Sequence, residues 1–140
     1  MSGAQDSGIP HTAMPPYARG LDVAIDGEMD GRAVLIMPWS KKVMGRPGFF
    51  HGGAITGLLE LAGLVLLRDR LALEDPTARF KPINVTTSFM RGAVERDCRA
   101  VAQVERLGRN LANISAIAWQ DSPDKPIASA QLAYRIRRGG

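Results

Sequence analysis

A His-Gly-Gly turn followed by one isolated carboxylate is the part of this sequence best suited to chemistry. The turn is His51-Gly52-Gly53, and Glu60 is the only charged residue between His51 and Arg68. The segment is otherwise apolar and predicts a helix, and the first turn of a helix presents unpaired backbone N–H groups and a positive dipole end to an anion. A lone carboxylate is costly to bury without a partner or a purpose. We therefore expect an oxyanion site and an acid–base group on one helix.

The predicted helix runs from Gly53 to Arg70 and must be covered on most sides, because nearly every position is apolar. Four small or polar residues share a face with Glu60: Gly53, Thr56, Gly57 and Gly63. A glycine inside a helix costs up to about 1 kcal/mol relative to alanine. We therefore expect a ligand or a second helix close to the backbone at Gly57 and Gly63. From the residues alone, a catalytic Glu60 and a structural ion pair between Glu60 and an arginine both stay open.

Two β strands are predicted before this helix and four after it. The predicted strands are Leu21–Met29, Arg32–Met37, Ile83–Phe89, Cys98–Leu107, Leu111–Gln120 and Ala128–Ile136. Residues 39–50 and 71–81 are predicted to be connections. A flat sheet cannot bury a helix that is apolar all round, so the sheet must curl around it. The predicted fold class is α+β, with a curled antiparallel sheet wrapped around one long central helix, and edge strands that pair with a second chain.

Composition limits the classes of function. We expect a mobile tail over residues 1–16, rich in Gly, Ser, Pro and Ala, and a single domain over residues 17–140. Because Cys98 is the only cysteine, an internal disulfide is excluded, and Cys98 is predicted to fill space in the core or at a sheet edge. The chain has two histidines and no Cys/His cluster, which argues against a metal site. No apolar run is long enough to span a bilayer, and no secretion signal is recognisable, so a cytoplasmic protein is predicted. The net charge of +4 indicates an anionic partner, but no nucleic-acid-binding motif is present.

The His-Gly-Gly turn and the acidic residue nine positions after its histidine resemble the signature of hotdog-fold acyl-CoA thioesterases. Within that family, the sequence resembles the thioesterases of the phenylacetate-degradation and 4-hydroxybenzoyl-CoA type. The resemblance covers residues 15–137. Weaker matches lie at residues 30–31, 89–93 and 107–109. The resemblance implies hydrolysis of an acyl-CoA thioester to the free acid and coenzyme A, with coenzyme A as part of the substrate and no separate cofactor. It also implies a homodimer or homotetramer whose active sites lie between subunits.

The resemblance also assigns roles to residues. The backbone N–H of Gly52 would hold the thioester carbonyl oxygen, and His51 would shape the turn and orient the substrate. Glu60 would come from the neighbouring subunit and act as nucleophile or general base. The expected substrate-binding residues, of which the two arginines would meet the phosphates of coenzyme A, are Gly53, Thr56, Asn84, Arg91 and Arg109.

Three positions depart from the patterns of relatives. Gly45 stands where many have Asn, Leu64 where one branch has a hydroxyl, and Pro82 where another branch has Ser or Thr. The group that would position water is therefore left open, and the candidates are Thr56, Asn84 and Thr86.

Two other functions compete with hydrolysis. One is a non-catalytic hotdog module that binds acyl-CoA or acyl carrier protein, and the retention of Glu60 argues against it. The other is a hydratase or dehydratase, which needs a His–Asp type pair near the helix start, whereas no carboxylate lies close to His51 in the sequence. The acyl group stays open between aryl and aliphatic chains.

Overall fold

The computed structural model describes residues 14–139 of the 140-residue chain. Residues 1–13 of the predicted tail lie outside the described residues. In chain order the elements are α1 (Pro16–Gly20), β1 (Ala24–Met29), β2 (Arg32–Met37), a 3-10 turn (Lys41–Val43), α2 (Gly52–Glu74), β3 (Arg79–Phe89), β4 (Cys98–Leu107), β5 (Leu111–Trp119) and β6 (Ala128–Arg137).

All six strands form one antiparallel sheet in the order β1-β2-β4-β5-β6-β3. The long helix α2 packs against β2, β4, β5 and β6. The predicted architecture, a curled antiparallel sheet around one long helix, is therefore confirmed. The third strand in sequence joins the last one in space, so β1 and β3 form the two edges of the sheet.

The predicted connection over residues 71–81 is wrong at both ends. Helix α2 continues to Glu74, because residues 71–74 are good helix formers, Leu71 is buried, and Arg70 pairs with Glu74 at 3.5 Å. Strand β3 begins at Arg79 rather than Ile83, because its first residues pair with the end of β6. The strand accommodates Pro82 because it is an edge strand with a bulge at that point.

The inner face of the sheet is built from small and branched residues that let the helix approach closely. The predicted inward residues of β5 and β6 are all buried: Ala112, Ile114, Ala116, Ala118, Ala130, Leu132, Tyr134 and Ile136. On β4, Ala100 and Ala102 are buried and Val104 is partly buried. Cys98 is fully buried, as its predicted role in the core requires, and burial raises the pKa of its thiol to about 12.

The two edges of the sheet differ. Strand β1 has 6 residues and an irregular register with β2, features that protect an edge from pairing. Strand β3 has 11 residues and leaves large apolar side chains exposed along its length. Ile83 is 54% exposed and Phe89 is 55% exposed, and Met90 follows at 49%. The β3 edge is thus long and exposes several large apolar side chains in the single chain.

No helix among residues 14–139 is long and apolar enough to cross a bilayer. The same residues contain no cluster of three or more His, Cys, Asp or Glu side chains that could hold a metal ion.

Candidate active site

His51 caps the N-terminus of α2. Its backbone is extended, and its Nδ1 accepts a hydrogen bond from the N–H of Ala54 at 3.0 Å. A second hydrogen bond, from the His51 N–H to the carbonyl of Val43 at 2.8 Å, holds the residue to the preceding loop. Because Nδ1 accepts, the neutral ring carries its proton on Nε2. This hydrogen bond satisfies the N–H of Ala54, one of the backbone amides at the helix start that have no partner within the helix. The N–H groups of the two residues before Ala54 are left open.

The amides of Gly52 and Gly53 are the open ones. Within residues 14–139 neither N–H has a hydrogen-bond acceptor, and both residues are exposed. They lie at the positive end of a 23-residue helix, where backbone N–H groups stabilise negative charge. The ring of Phe89 covers Gly52 so closely that a Cβ there would lie 3.3 Å from the ring. Gly52 therefore borders a space beside an aromatic ring.

This space is an open cavity of about 370 Å³. Its lining comprises Phe50, Gly52, Ile55, Phe89, Met90, Arg91, Gly92, Ala93 and Ile127. Arg91 is the one charged residue in that set, and its side chain is exposed. An apolar cavity with a few convergent polar groups is the usual form of a small-molecule site.

Glu60 lies partly buried on α2, and it is not among the residues that line this cavity. Burial raises the pKa of its carboxyl group above the ordinary value. None of the ion pairs within residues 14–139 includes Glu60. Its backbone carbonyl accepts a hydrogen bond from the hydroxyl of Tyr134 at 3.5 Å, and burial together with the Glu60 charge raises the pKa of that hydroxyl. A partly buried carboxylate without a cation is suited to accept a proton.

Gly52 and Glu60 cannot act on the same atom within one chain. They are eight residues apart on one continuous helix, which is a rise of about 12 Å. A reacting carbonyl must lie about 3 Å from both its oxyanion donor and the attacking group. One chain therefore contains both groups but not one complete site.

Thr56 lies midway between them. Its hydroxyl donates a hydrogen bond to the hydroxyl of Thr87 on β3 at 3.3 Å. The contact joins the middle of the candidate site to the exposed edge strand.

Asn84 and Arg109 lie away from these groups within one chain. Asn84 is opposite Ala133, which lies between the buried Leu132 and Tyr134, so Asn84 is on the outer face of the sheet. Arg109 is in the β4–β5 turn, at the end of the sheet where β6 finishes. Arg91 is at the opposite end, where its amide binds the carbonyl of Ile127 before β6 begins.

The structure thus brings together four of the predicted site residues: His51, Gly52, Gly53 and Arg91. Glu60 and Thr56 are farther along the same helix, and Asn84 and Arg109 are separate from both groups.

The close approach expected at Gly57 and Gly63 is present, and side chains from two other elements of the fold make it. The ring of Tyr17 lies over Gly57, where a Cβ would be 2.8 Å from Cε2. At Gly63 a Cβ would be 2.9 Å from the hydroxyl of Tyr134. The neighbour of Gly57 is thus a second helix, the short α1, as one of the two expected alternatives had it, whereas the neighbour of Gly63 is a strand, β6.

Sequence reasoning missed the parts played by Phe89, Tyr17 and Gly45. A Cβ at Gly45 would lie 2.9 Å from Cα of His51, so this turn requires a residue without a side chain. Phe89 carried one usable signal, an aromatic residue at the end of a strand just before Met-Arg-Gly. Tyr17 carried none, since its contact with Gly57 is long-range.

Comparison with known proteins shows the family of this chain. A family model described as the acyl-CoA thioesterase N-terminal domain matches residues 41–135. No match was found among curated proteins.

Three solved structures show the same fold at low sequence identity. A thioesterase enzyme of Staphylococcus aureus Mu50 is 20% identical over 86% of this chain and 97% of its own, with a TM-score of 0.74. A phenylacetic acid degradation-related protein of Ralstonia eutropha JMP134 is 22% identical over 95% and 97%, with a TM-score of 0.74. A Bacillus halodurans protein solved with CoA is 17% identical over 86% and 74%, with a TM-score of 0.72.

These similarities confirm the predicted hotdog fold. Since the family model matches more than half of the chain, the protein belongs to the acyl-CoA thioesterase N-terminal domain family.

Proposed function

We propose that this protein hydrolyses an acyl-CoA thioester to the free acid and coenzyme A. The carrying observation is the unpaired amide of Gly52, at the start of the long helix, on a residue that lines the same cavity as Arg91. Family membership supports thioester chemistry, and the CoA in the Bacillus halodurans structure supports an acyl-CoA ligand.

The chemistry follows from these groups. The amide of Gly52 holds the thioester carbonyl oxygen and stabilises the negative charge that develops on it. Glu60 either takes a proton from water as the water attacks the carbonyl carbon, or attacks that carbon itself and is freed by water in a second step. In both routes the C–S bond breaks, the thiolate of coenzyme A leaves and takes up a proton, and the acid is released. A metal is not needed for either route.

The active site is formed by two chains. Glu60 and Gly52 are about 12 Å apart along one helix, so each must act with a group from a second copy. A two-fold axis near Thr56 would place the partner's Glu60 opposite Gly52 and repeat the arrangement at the second site. Antiparallel pairing of the β3 edges around that axis would cover Ile83 and Phe89, which are exposed in the single chain. A homodimer is the minimal unit, and a homotetramer is a pair of such dimers.

Three other predicted residues have roles in this assembly: Arg91, Arg109 and Thr56. Arg91 contacts a phosphate of coenzyme A from within the cavity that Gly52 lines. Antiparallel β3 pairing lays the Arg79 end of one strand beside the Phe89 end of the other, so the second copy brings Arg109 toward the site. Asn84 is in the middle of β3 on the outer face of the sheet and is left out of this proposed site. Thr56, near the axis, positions the attacking water through its hydroxyl.

We assign the protein to the phenylacetate-degradation and 4-hydroxybenzoyl-CoA type. The spacing of His51 and Glu60 supports this assignment, as does the similarity to the Ralstonia eutropha protein. The competing function is a non-catalytic module that binds acyl-CoA or acyl carrier protein.

Thiol release from a panel of acyl-CoAs tests the proposal. The panel covers arylacetyl, aroyl, short-chain and long-chain thioesters, and the protein is compared with Glu60→Gln. Glu74→Gln is the matched control, because it removes a carboxylate from the exposed end of the same helix. The proposal is supported if the protein hydrolyses at least one thioester, if Glu60→Gln loses this activity and if Glu74→Gln keeps it. Tight binding of an acyl-CoA without thiol release would instead support the non-catalytic module.

A further inference from the structure

The outer face of the sheet carries four cations in two directly opposed pairs. Arg79 on β3 is opposite Arg137 on β6, and Lys81 is opposite Arg135. All four side chains are exposed, and we call this group the β3–β6 basic face. Like charges directly opposite each other in a sheet are destabilising, so the arrangement costs stability in the free protein.

No carboxylate of residues 14–139 offsets this cost through an ion pair. None of the four cations takes part in an ion pair within residues 14–139. Elsewhere cations do pair, as Arg96 does with Asp121 at 2.6 Å and Arg99 with Asp26 at 2.8 Å. The positive charge of the basic face is therefore available to an external anion.

Two cavities border the basic face and share two of its arginines. The first, of about 190 Å³, is lined by Arg79, Phe80, Lys81, Arg135 and Arg137. The second, of about 430 Å³, is lined by Arg109, Asn110, Arg135, Ile136, Arg137 and Arg138. Neither lining set contains an Asp or a Glu. Arg135 and Arg137 separate the two cavities, so a single ligand that contacts both arginines extends into a concave, cationic space on either side.

We propose that the β3–β6 basic face binds a ligand that carries two or more neighbouring phosphate groups. Arginine binds phosphate through planar, paired N–H donors, and four cations exceed what one phosphate neutralises. Two ligands share this chemistry: the nucleotide end of an acyl-CoA whose thioester is in the partner's half of the active site, and a separate nucleotide or polyphosphate. The existence of this site does not depend on the proposed function. Only the first source of the phosphates, the nucleotide end of an acyl-CoA, rests on the proposed hydrolysis.

Calorimetric titration of the full chain with inorganic pyrophosphate tests the site. We expect binding that weakens as salt is added, because exposed charges are screened. The double variant Lys81→Gln/Arg135→Gln removes one side of the face and lowers the affinity at least about tenfold. The matched control, Arg96→Gln/Arg99→Gln, removes the same charge from cations that already have carboxylate partners and keeps the affinity.

Two results of the pyrophosphate titrations would overturn the proposal. One is the absence of pyrophosphate binding to the unaltered protein. The other is an equal loss of affinity in both double variants, which would show an effect of net charge rather than a site. Thermal unfolding checks the fold of each variant, and the Lys81→Gln/Arg135→Gln protein should not melt below the unaltered one, because its like-charge repulsion is reduced.

Kinetics then identify the source of the phosphates. A higher KM of the Lys81→Gln/Arg135→Gln variant for acyl-CoA, with an unchanged KM for the corresponding acyl-pantetheine, assigns the face to the nucleotide end of the substrate. An unchanged KM for both, together with lost pyrophosphate binding, assigns it to a separate phosphorylated ligand. An equal rise in KM for both would contradict a phosphate site, because acyl-pantetheine carries no phosphate.

Discussion

The hydroxyl of Thr56 donates a hydrogen bond to the hydroxyl of Thr87 at 3.3 Å, which joins the long helix to the exposed edge strand midway between Gly52 and Glu60. A two-fold axis near this contact would bring each carboxylate to the oxyanion site of the other chain. The contact therefore locates where a second copy must dock if the two groups are to work together.

Mixed dimers test whether Gly52 and Glu60 act across chains. Glu60→Gln lacks the base, and Gly52→Leu blocks the oxyanion site, because any side chain there meets the ring of Phe89. Each variant alone should be inactive, whereas a mixed dimer should regain activity at one of its two sites. Thiol release after the two variants are unfolded and refolded together measures this. If the mixture stays as inactive as each variant alone, while both refold and form dimers, the shared site is excluded.

Glu60 should determine kcat. Glu60→Gln keeps the size of the side chain but cannot take a proton, so kcat should fall by at least about 10²-fold, as expected for the loss of a general base. Glu60→Asp should keep partial activity because it retains a carboxylate. Steady-state kinetics on the best acyl-CoA measure both, with circular dichroism as the check on folding. A rate of Glu60→Gln near that of the unaltered protein would assign Glu60 a structural role.

The pH dependence of the hydrolysis rate should reflect the partly buried carboxylate of Glu60. Burial raises the pKa of Glu60 above its ordinary value, and a general base or nucleophile must be deprotonated. The activity should therefore rise with pH through a pKa that lies above that of a free glutamate, and this limb should be absent from the residual activity of Glu60→Gln. A rate that is already constant at the pKa of a free glutamate would contradict a raised pKa.

The same shift predicts how stability changes. A carboxyl whose pKa is higher in the folded state binds its proton more tightly when folded, so its charged form destabilises the fold above that pKa. Glu60→Gln should therefore raise Tm at neutral pH, and the difference should disappear as the pH falls below the pKa of a free glutamate. Melting curves across this range measure it. A lower Tm for Glu60→Gln at neutral pH would show that the carboxylate has a stabilising partner.

Gly63→Ala and Gly57→Ala should differ in their cost. An added Cβ at Gly63 meets the buried Tyr134 and Leu132 at 2.9 and 3.1 Å, neither of which can move easily. The expected loss of stability is about 1–3 kcal/mol, as for overpacking of a core. At Gly57 the neighbour is Tyr17, which is 53% exposed and can swing outward, so the loss is smaller. Urea unfolding of both variants, and of Gly57→Ala combined with Tyr17→Ala, checks this order.

Arg91 should contribute to substrate binding rather than to the chemical step. Arg91→Ala should raise KM for acyl-CoA more than it lowers kcat, because the interaction with a phosphate is the same in the ground and transition states. Its effect should shrink with added salt. Arg96→Ala is the matched control, an exposed arginine paired with Asp121 that does not line the cavity. An unchanged KM in Arg91→Ala would remove this residue from the site.

Local patterns were sufficient for much of the fold and for the start of the site. The Asp30-Gly31 turn and Pro38 predicted the bounds Arg32–Met37 of β2, and alternation predicted Cys98–Leu107 of β4, and the structure shows both. The His51-Gly52-Gly53 turn predicted the helix start, because capping and backbone conformation depend on residues only a few positions apart.

Tertiary structure decided what lies between distant segments. The early start of β3, the contact of Tyr17 with Gly57 and the opposition of Lys81 to Arg135 all depend on which strands and helices become neighbours. Strand β3 pairs with β6, a strand more than thirty residues later in the chain, and no periodicity within either segment specifies that partner. Such pairings are selected by burial of the whole inner face around the helix, which is a property of the complete sheet and not of any one stretch of sequence.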